Sequence, residues 1–259
     1  MSSVTARIEQ IKQPRGGYIK PSKFNAIQLE DSKILNSTEN LYATIIGLTV
    51  DYLSRFMLGS TVEDAFAISI MGAKRAEELG QEGSIDELRD YLEGIQGLDD
   101  DSIINACKCT TFDVWKRNPM AAFMARTAQD TTPDKDIIDN MRIMVERSLN
   151  FFKIYGPITK DGFTFEPDGY TPTVDSGDGD FLTADTLWDF KVSKAKPKTK
   201  HTLQLLMYWI MGQHSQKPEF KSITKLGMYN PRLNVVYTLD MSEVSDETIE
   251  AVENDVICY

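Results

Sequence analysis

A change of hydrophobic period at Gly156-Pro157 divides what this chain can build. Before it, apolar residues recur at helical spacing, most strongly over Asp134 to Ile154, a run that opens just after Pro133 and stops at the Gly-Pro pair. After it the pattern is that of strands. Phe163-Thr164-Phe165 alternates, turn formers crowd Gly169 to Gly179, and Phe181-Leu182 with Thr186 to Val192 reads as a hairpin-like pair. Thr199 to Gly212 is a helix beginning after Pro197. Ile223 to Tyr229 and Asn234 to Asp240 are strands joined by Asn230-Pro231-Arg232, and Ser245-Asp246-Glu247-Thr248 caps a last helix running towards Cys258. The order strand–strand–helix–strand–strand predicts an α/β (α+β) core with a mixed central sheet flanked by helices.

Upstream, Ser37-Thr38-Glu39-Asn40 resembles a cap before the apolar-periodic run Leu41 to Leu58. Further helices fit Thr61 to Leu79 (stopped by Gly80), Ser84 to Ile95, Asp101 to Arg117, and Met120 to Gln129. The first thirty residues are polar, and Arg15-Gly16-Gly17 and Pro21 mark irregular structure. One domain is expected over residues 1–259, with an arm (1–36), a helical region (37–155) and the α/β core (156–259).

Charge is unevenly spread. Residues 191–239 hold nine basic residues (Lys191, Lys194, Lys196, Lys198, Lys200, Lys217, Lys221, Lys225, Arg232) and one acid, Glu219, a net +8; with −11 for the whole chain, the rest carries −19. A protein that coats nucleic acid over its whole surface is excluded, whereas an acidic exterior with one basic region suits local admission of a polyanion. A solvated lysine loop is the plainer reading of Lys194 to Lys200 taken alone. Three cysteines, with Cys107-Lys108-Cys109 at the wrong spacing for a CxxC motif, read as reduced, buried thiols. Two histidines, His201 and His214, make a multi-histidine metal site unworkable. The longest apolar stretch, Leu205 to Met211, is too short to span a bilayer, and no apolar leader opens the chain, so a cytoplasmic location without membrane contact is expected.

Within the basic half lies an ordered set of polar residues: Asp180 in GDGD, Asp189 and Lys191 in WDFK nine residues on, and Gln204 and Tyr208 in QLLMY. Asp180 starts one expected strand and Asp189 lies near the end of the next. The short link Thr183-Ala184-Asp185 returns both to the same end of the sheet. Asp189 and Lys191, two apart, project from one face. Two carboxylates and a carbonyl, that of Phe190, are sufficient protein ligands for a hard cation such as Mg²⁺. Lys191 would orient a nucleophile or offset charge on a phosphate. Gln204 and Tyr208 are i and i+4 on a helix, with Lys200 one turn earlier. DxK alone is weak: Asp31-Ser32-Lys33 has no matching acid upstream and no QxxxY downstream, and reads as surface structure. The plain alternatives are a salt-bridged strand pair and a polar edge on a core helix. Trp188 should point to the face opposite Asp189 and into the core. His201, beside these residues, fits a surface residue in the helix's first turn or a contact to phosphate, and Arg232 an exposed turn arginine or a grip on a nucleic-acid backbone.

GDGDFLTADTLWDFKVSK followed by QLLMY resembles the PD-(D/E)xK nuclease superfamily, in the branch related to RecB nuclease domains and similar exonucleases. The likeness is close over residues 177–208 and looser over the two strands after them. It implies a restriction-endonuclease-like core and an exonuclease-like, Mg²⁺- or Mn²⁺-dependent deoxyribonuclease. Asp180 and Asp189 would be metal ligands with the Phe190 carbonyl, Lys191 catalytic, and Gln204 and Tyr208 positioning substrate and water. Lys194, Lys198, Lys200 and Arg232 are candidates to grip DNA. The branch usually carries an upstream glutamate or GxxxH ligand; here Gly47-Leu48-Thr49-Val50-Asp51 puts Asp51 in that place, as a ligand or as a salt-bridged surface residue. The cysteine order does not match relatives that hold an iron–sulfur cluster, so none is expected. No GxxxxGK[ST] is present, so a helicase or a recombination or phage protein acting with the chain would be a separate partner. Two other classes fit the same residues: a catalytically silent nucleic-acid-binding module, and a structural or partner-binding protein built on a salt-bridge network.

Overall fold

Strong alternation in the second half of the chain becomes a sheet, and helical periodicity in the first half becomes a helical bundle. The computed structural model describes residues 2–259. The strands are β1 (Ser2–Ser3), β2 (Asn25–Gln28), β3 (Lys160–Phe163), β4 (Val174–Ser176), β5 (Gly179–Leu182), β6 (Thr186–Phe190), β7 (Lys225–Asn230) and β8 (Val235–Asp240). The helices are α1 (Val4–Gln10), α2 (Ala43–Met57), α3 (Val62–Ala65), α4 (Ala67–Glu78), α5 (Ser84–Glu93), α6 (Asp100–Thr110), α7 (Asp113–Arg117), α8 (Pro119–Ala122), α9 (Lys135–Tyr155), α10 (Thr199–His214) and α11 (Asp246–Ala251). No helix among the described residues is long and apolar enough to cross a membrane. The chain forms two compact units, one from the first 30 residues together with 151–259, the other from residues 31–150.

The first unit is built on a six-stranded mixed sheet in the order β2-β8-β7-β6-β5-β3. Only β6 and β7 are parallel, and α10 is the crossover that parallel neighbours require. Alternation sends Leu182, Leu187, Leu226, Met228, Tyr237 and Leu239 to one face, where they pack with Leu203, Leu206, Met207 and Ile210 of α10. Phe181, Trp188, Tyr229 and Val236 take the other face with Phe151. There Phe151 stacks on Tyr229 at 4.1 Å between ring centroids and meets Trp188 edge-on at 5.0 Å. Trp188 is therefore core, as its position next to Asp189 predicts, and its indole N–H donates to the Thr183 hydroxyl at 2.9 Å.

The N-terminal residues differ from the expectation of an irregular arm. Ser3 caps α1, and β2 pairs antiparallel with β8 as the sheet's outermost strand. Neither was expected: β2 is exposed at every position, and the alternating Ile27/Leu29 is too short to mark a strand by itself. The Arg15-Gly16-Gly17 turn is as expected: both glycines have positive φ.

In the second unit the helices are shorter than periodicity suggested. The run from Thr61 breaks at Phe66, and the run from Asp101 breaks at Thr111-Phe112, where the Phe112 carbonyl sits 2.0 Å from where a Cβ on Gly72 would be. Only Pro119–Ala122 of the expected helix 120–129 is helical, and α2 begins at Ala43 with no side-chain cap, past the Ser37–Asn40 signal. Cys107 and Cys109 are buried free thiols, while Cys258 is half-buried. Asp31 pairs with Arg147 at 2.6 Å and Lys33 with Glu146, so the second DxK is surface ion pairing.

This unit buries one carboxylate, that of Asp113, which accepts from the Tyr52 hydroxyl at 2.5 Å and the Ser69 hydroxyl at 2.6 Å, with Arg117 at 3.5 Å. Burial raises its pKa; the bonds from Ser69 and Tyr52 and the Arg117 charge pull the other way. A carboxyl whose folded pKa lies above the unfolded value of about 3.9 stabilises most at acid pH and loses that contribution as pH rises through the folded pKa. Asp113→Asn should therefore flatten the fall in stability on going from about pH 4 upwards. Asp113→Ala, which leaves two buried hydroxyls without their acceptor, should cost about 2–4 kcal/mol; both are checked by urea titration of the helical circular dichroism at several pH values.

Candidate active site across two strands

The register of β5 and β6 decides where the acids stand. Phe181 faces Trp188 and Leu182 faces Leu187; one further step puts Asp180 opposite Asp189, on the α10 face of the sheet. Side chains directly opposite have Cβ atoms about 5 Å apart, and two carboxylates there repel. Two donors offset that repulsion. The Phe190 amide donates to Asp180 Oδ2 at 2.6 Å, and Lys191 Nζ lies 2.8 Å from Asp189 Oδ1. Asp189 Oδ2 is buried and has no hydrogen-bond partner. A buried, unpartnered charged acceptor is costly, and such a group needs a specific reason. The Lys191 amide goes to the Tyr229 carbonyl on β7, so the Phe190 N–H and carbonyl turn the other way, towards Asp180.

Packing keeps the GDGD approach tight. A Cβ on Gly179 would lie 2.0 Å from the Phe163 ring, so the glycine before Asp180 is a steric requirement. The Gly177 carbonyl accepts from the Tyr170 hydroxyl at 2.5 Å, which anchors the entry to β5.

From α10, Gln204 Nε2 donates to the Tyr208 hydroxyl at 2.9 Å, as their spacing predicts. Burial raises the Tyr208 pKa far above its ordinary value; the Gln204 bond lowers it, and the charges of Asp189, Asp180 and Asp178 raise it further, so the phenol stays protonated. At Lys191 burial opposes the charge, but Asp189 and Asp180 outweigh it and the ammonium is held raised. These mutual influences show that Asp180, Asp189, Lys191 and Tyr208 share one electrostatic environment. His201 belongs to it as well. It is half-buried in the first turn of α10, accepts the Lys198 N–H at 3.2 Å on Nδ1, and is pushed down by burial and by Lys191.

The other candidates are lysines of the segment after Lys191, a turn arginine and a helix aspartate. Lys194, Lys198 and Lys200 are exposed, and Arg232 is half-buried in the 230–233 turn. Asp51 is on α2, in the other unit, paired with Arg55 at 3.0 Å. Sequence reasoning weighed His201 as a phosphate contact but preferred a surface role, and it did not single out Asn230. The latter is 3% exposed; it accepts from the Arg232 amide at 3.0 Å and donates to the Ser193 carbonyl at 2.8 Å. The asparagine beside a proline was a turn signal, and only the fold shows that it also holds the lysine segment.

Among the described residues no three His, Cys, Asp or Glu side chains gather as a metal cage. The donor set is two opposed carboxylates and a strand carbonyl. All are hard oxygens, with one carboxylate oxygen buried and unpartnered, and that suits a cation which keeps several waters. Comparison with protein-family models, curated proteins and solved structures finds no match.

If repulsion between Asp180 and Asp189 strains the site, Asp180→Asn should stabilise the cation-free protein by about 0.5–1 kcal/mol, because an amide oxygen can still accept the Phe190 N–H. Melting in EDTA and in Mn²⁺ checks this: Mn²⁺ should raise the wild-type midpoint and leave the variant unmoved. A variant that melts lower than wild type in EDTA would count against the strain.

Proposed function

We propose that this chain is a Mg²⁺- or Mn²⁺-dependent nuclease of PD-(D/E)xK type that hydrolyses DNA phosphodiester bonds in an exonuclease-like manner. The observation that carries the reading is Asp180 facing Asp189 across neighbouring strands beside Lys191, with Asp189 Oδ2 buried and unpartnered. Two opposed acids, one of them with a buried oxygen that lacks a partner, make poor stability and good cation chemistry. Support also comes from the order of elements, since the acid, D-x-K and QxxxY residues fall on β5, β6 and α10 in the sequence that the family resemblance implies.

Asp180, Asp189 and the Phe190 carbonyl would hold the cation. When bound it supplies positive charge to the phosphate and lowers the pKa of a water. Lys191 Nζ, tethered to Asp189 and one-third exposed, turns a donor towards the phosphate or the incoming water. Water adds to phosphorus as the bond to the leaving oxygen breaks, and that oxygen takes a proton. Tyr208, kept protonated, donates and does not act as a base, and Gln204 sets the direction of its hydroxyl. The exposed lysines that follow Lys191 offset the charge of the approaching backbone.

Incubation of the protein with linear and circular DNA in Mg²⁺, Mn²⁺ or EDTA tests this. Asp189→Ala and Lys191→Ala should each lower metal-dependent cleavage by about 10³-fold, and cleavage surviving both changes removes the assignment. Salt-dependent binding without cleavage in any metal would instead favour the silent binding module. Tyr208→Phe should cost about 10²-fold in turnover and leave the pH–rate profile below pH 9 unchanged in shape. A lost alkaline limb would mean that Tyr208 acts by ionising.

A further inference from the structure

The face that carries Asp189 runs on, away from Asp180, to a groove at the open edge of the sheet. Register alone sets the row: Asp189 is beside Met228, Met228 beside Tyr237, and Tyr237 beside Ala26. The next row on the same face passes through Asn230, Val235 and Gln28. With strands about 4.8 Å apart, Tyr237 lies roughly 10 Å and Ala26 roughly 14 Å from β6. Beyond them opens a groove of about 490 Å³ lined by Phe24, Ala26, Val235, Tyr237, Lys196 and Pro197 among others. None of the described residues lining it is acidic, and Lys196 is its one charged side chain, in a chain whose net charge is −11.

The segment after Lys191 links the acids to this groove. Ser193, Ala195 and Pro197 line a small void against Met228 and Tyr237, and Lys194, Lys196 and Lys198 are exposed, as is Ala195. Asn230 holds the start of the segment through the Ser193 carbonyl and amide, at 2.8 and 3.5 Å. The result is a ridge of lysines that starts beside Lys191 and ends at an apolar slot.

We propose that the groove seats unpaired nucleotides of the substrate strand, with phosphates along Lys194, Lys196 and Lys198 and bases against the apolar walls around Tyr237 and Pro197. A cation ridge beside an apolar slot is the arrangement that binds a single strand, because only unpaired bases offer their faces. A duplex keeps its bases stacked inside and would meet the lysines alone. The edge strand β2 could also add an extended peptide, but the lysine ridge favours a polyanion. The inference rests on the nucleic-acid half of the reading above and does not need its cation chemistry.

Binding of a fluorescent oligothymidylate to the full chain in EDTA, where no cleavage occurs, is the test. Ala26→Trp fills the slot from an exposed position and Lys196→Glu reverses its charge; each should weaken binding by about tenfold or more. Lys196→Glu should also lower the salt slope by about one. Lys221→Glu, the same charge change on the turn Pro218–Ser222 outside the groove, should weaken binding only about twofold. A 5-iodouracil oligonucleotide should cross-link to the peptide of residues 21–28 or to Tyr237. Equal losses in all three variants, cross-links elsewhere, or displacement by an acidic peptide as readily as by an oligonucleotide would overturn the proposal. If this binding pattern is found but no metal yields cleavage, the groove stands and the nuclease reading falls. Metal-dependent cleavage with binding unchanged in Ala26→Trp and Lys196→Glu overturns the groove and leaves the nuclease reading standing.

Discussion

Two carboxylates set opposite each other on neighbouring strands repel, and the arrangement around β5 and β6 is organised by that repulsion. The Phe190 amide leaves the ladder to reach Asp180, and Lys191 turns back to Asp189, yet one oxygen of Asp189 remains buried without a donor. Such a pair persists only where surrounding packing holds the register. Here the Phe151–Tyr229–Trp188 cluster fixes β6 from one side, and the leucines and methionines of α10 fix it from the other.

That division of labour explains why the site lies where the pairing of β5 with β6 stops. Past Phe181 and Trp188 the two strands no longer pair with each other, although each still pairs with its other neighbour, and the Phe190 amide is released to bind the Asp180 side chain. The crossover helix α10, obligatory between parallel β6 and β7, then brings Gln204 and Tyr208 over the same face. The parallel pair thus both breaks the antiparallel pattern and delivers the second half of the site. Burial keeps Tyr208 a donor, and the carboxylates keep Lys191 charged, so each side chain has one protonation state over a wide pH range.

The site was more legible than the fold around it. Strict period-two spacing placed Asp189 and Lys191 on one face and Trp188 on the other, and period 3.6 paired Gln204 with Tyr208; both follow from backbone geometry alone. Local signals failed where tertiary contact overrode them. β2 is exposed on both faces and shows only the short alternation of Ile27 and Leu29; it forms by pairing with the edge of β8. The long helical runs from Thr61 and Asp101 are cut at Phe66 and Phe112, and near the second cut Gly72 lets α4 approach the chain. His201 read more readily as a surface residue, and only the fold shows that it is half-buried close to Lys191.

By itself the amino-acid sequence determined the change from helical to strand period at Gly156-Pro157, the facing of β5 and β6, and the order of acid, D-x-K and QxxxY. Covalent spacing and the two backbone periods suffice for those. Tertiary structure alone decided that Asp180 stands opposite Asp189, that one carboxylate oxygen is left unpartnered, and that residues 25–28 form the outermost strand of a sheet whose other members all lie in the second half of the chain. The short link between β5 and β6 places both acids at one end of the sheet, but their exact register and the pairing of the edge strand with a distant segment are chosen by the packing of the whole sheet.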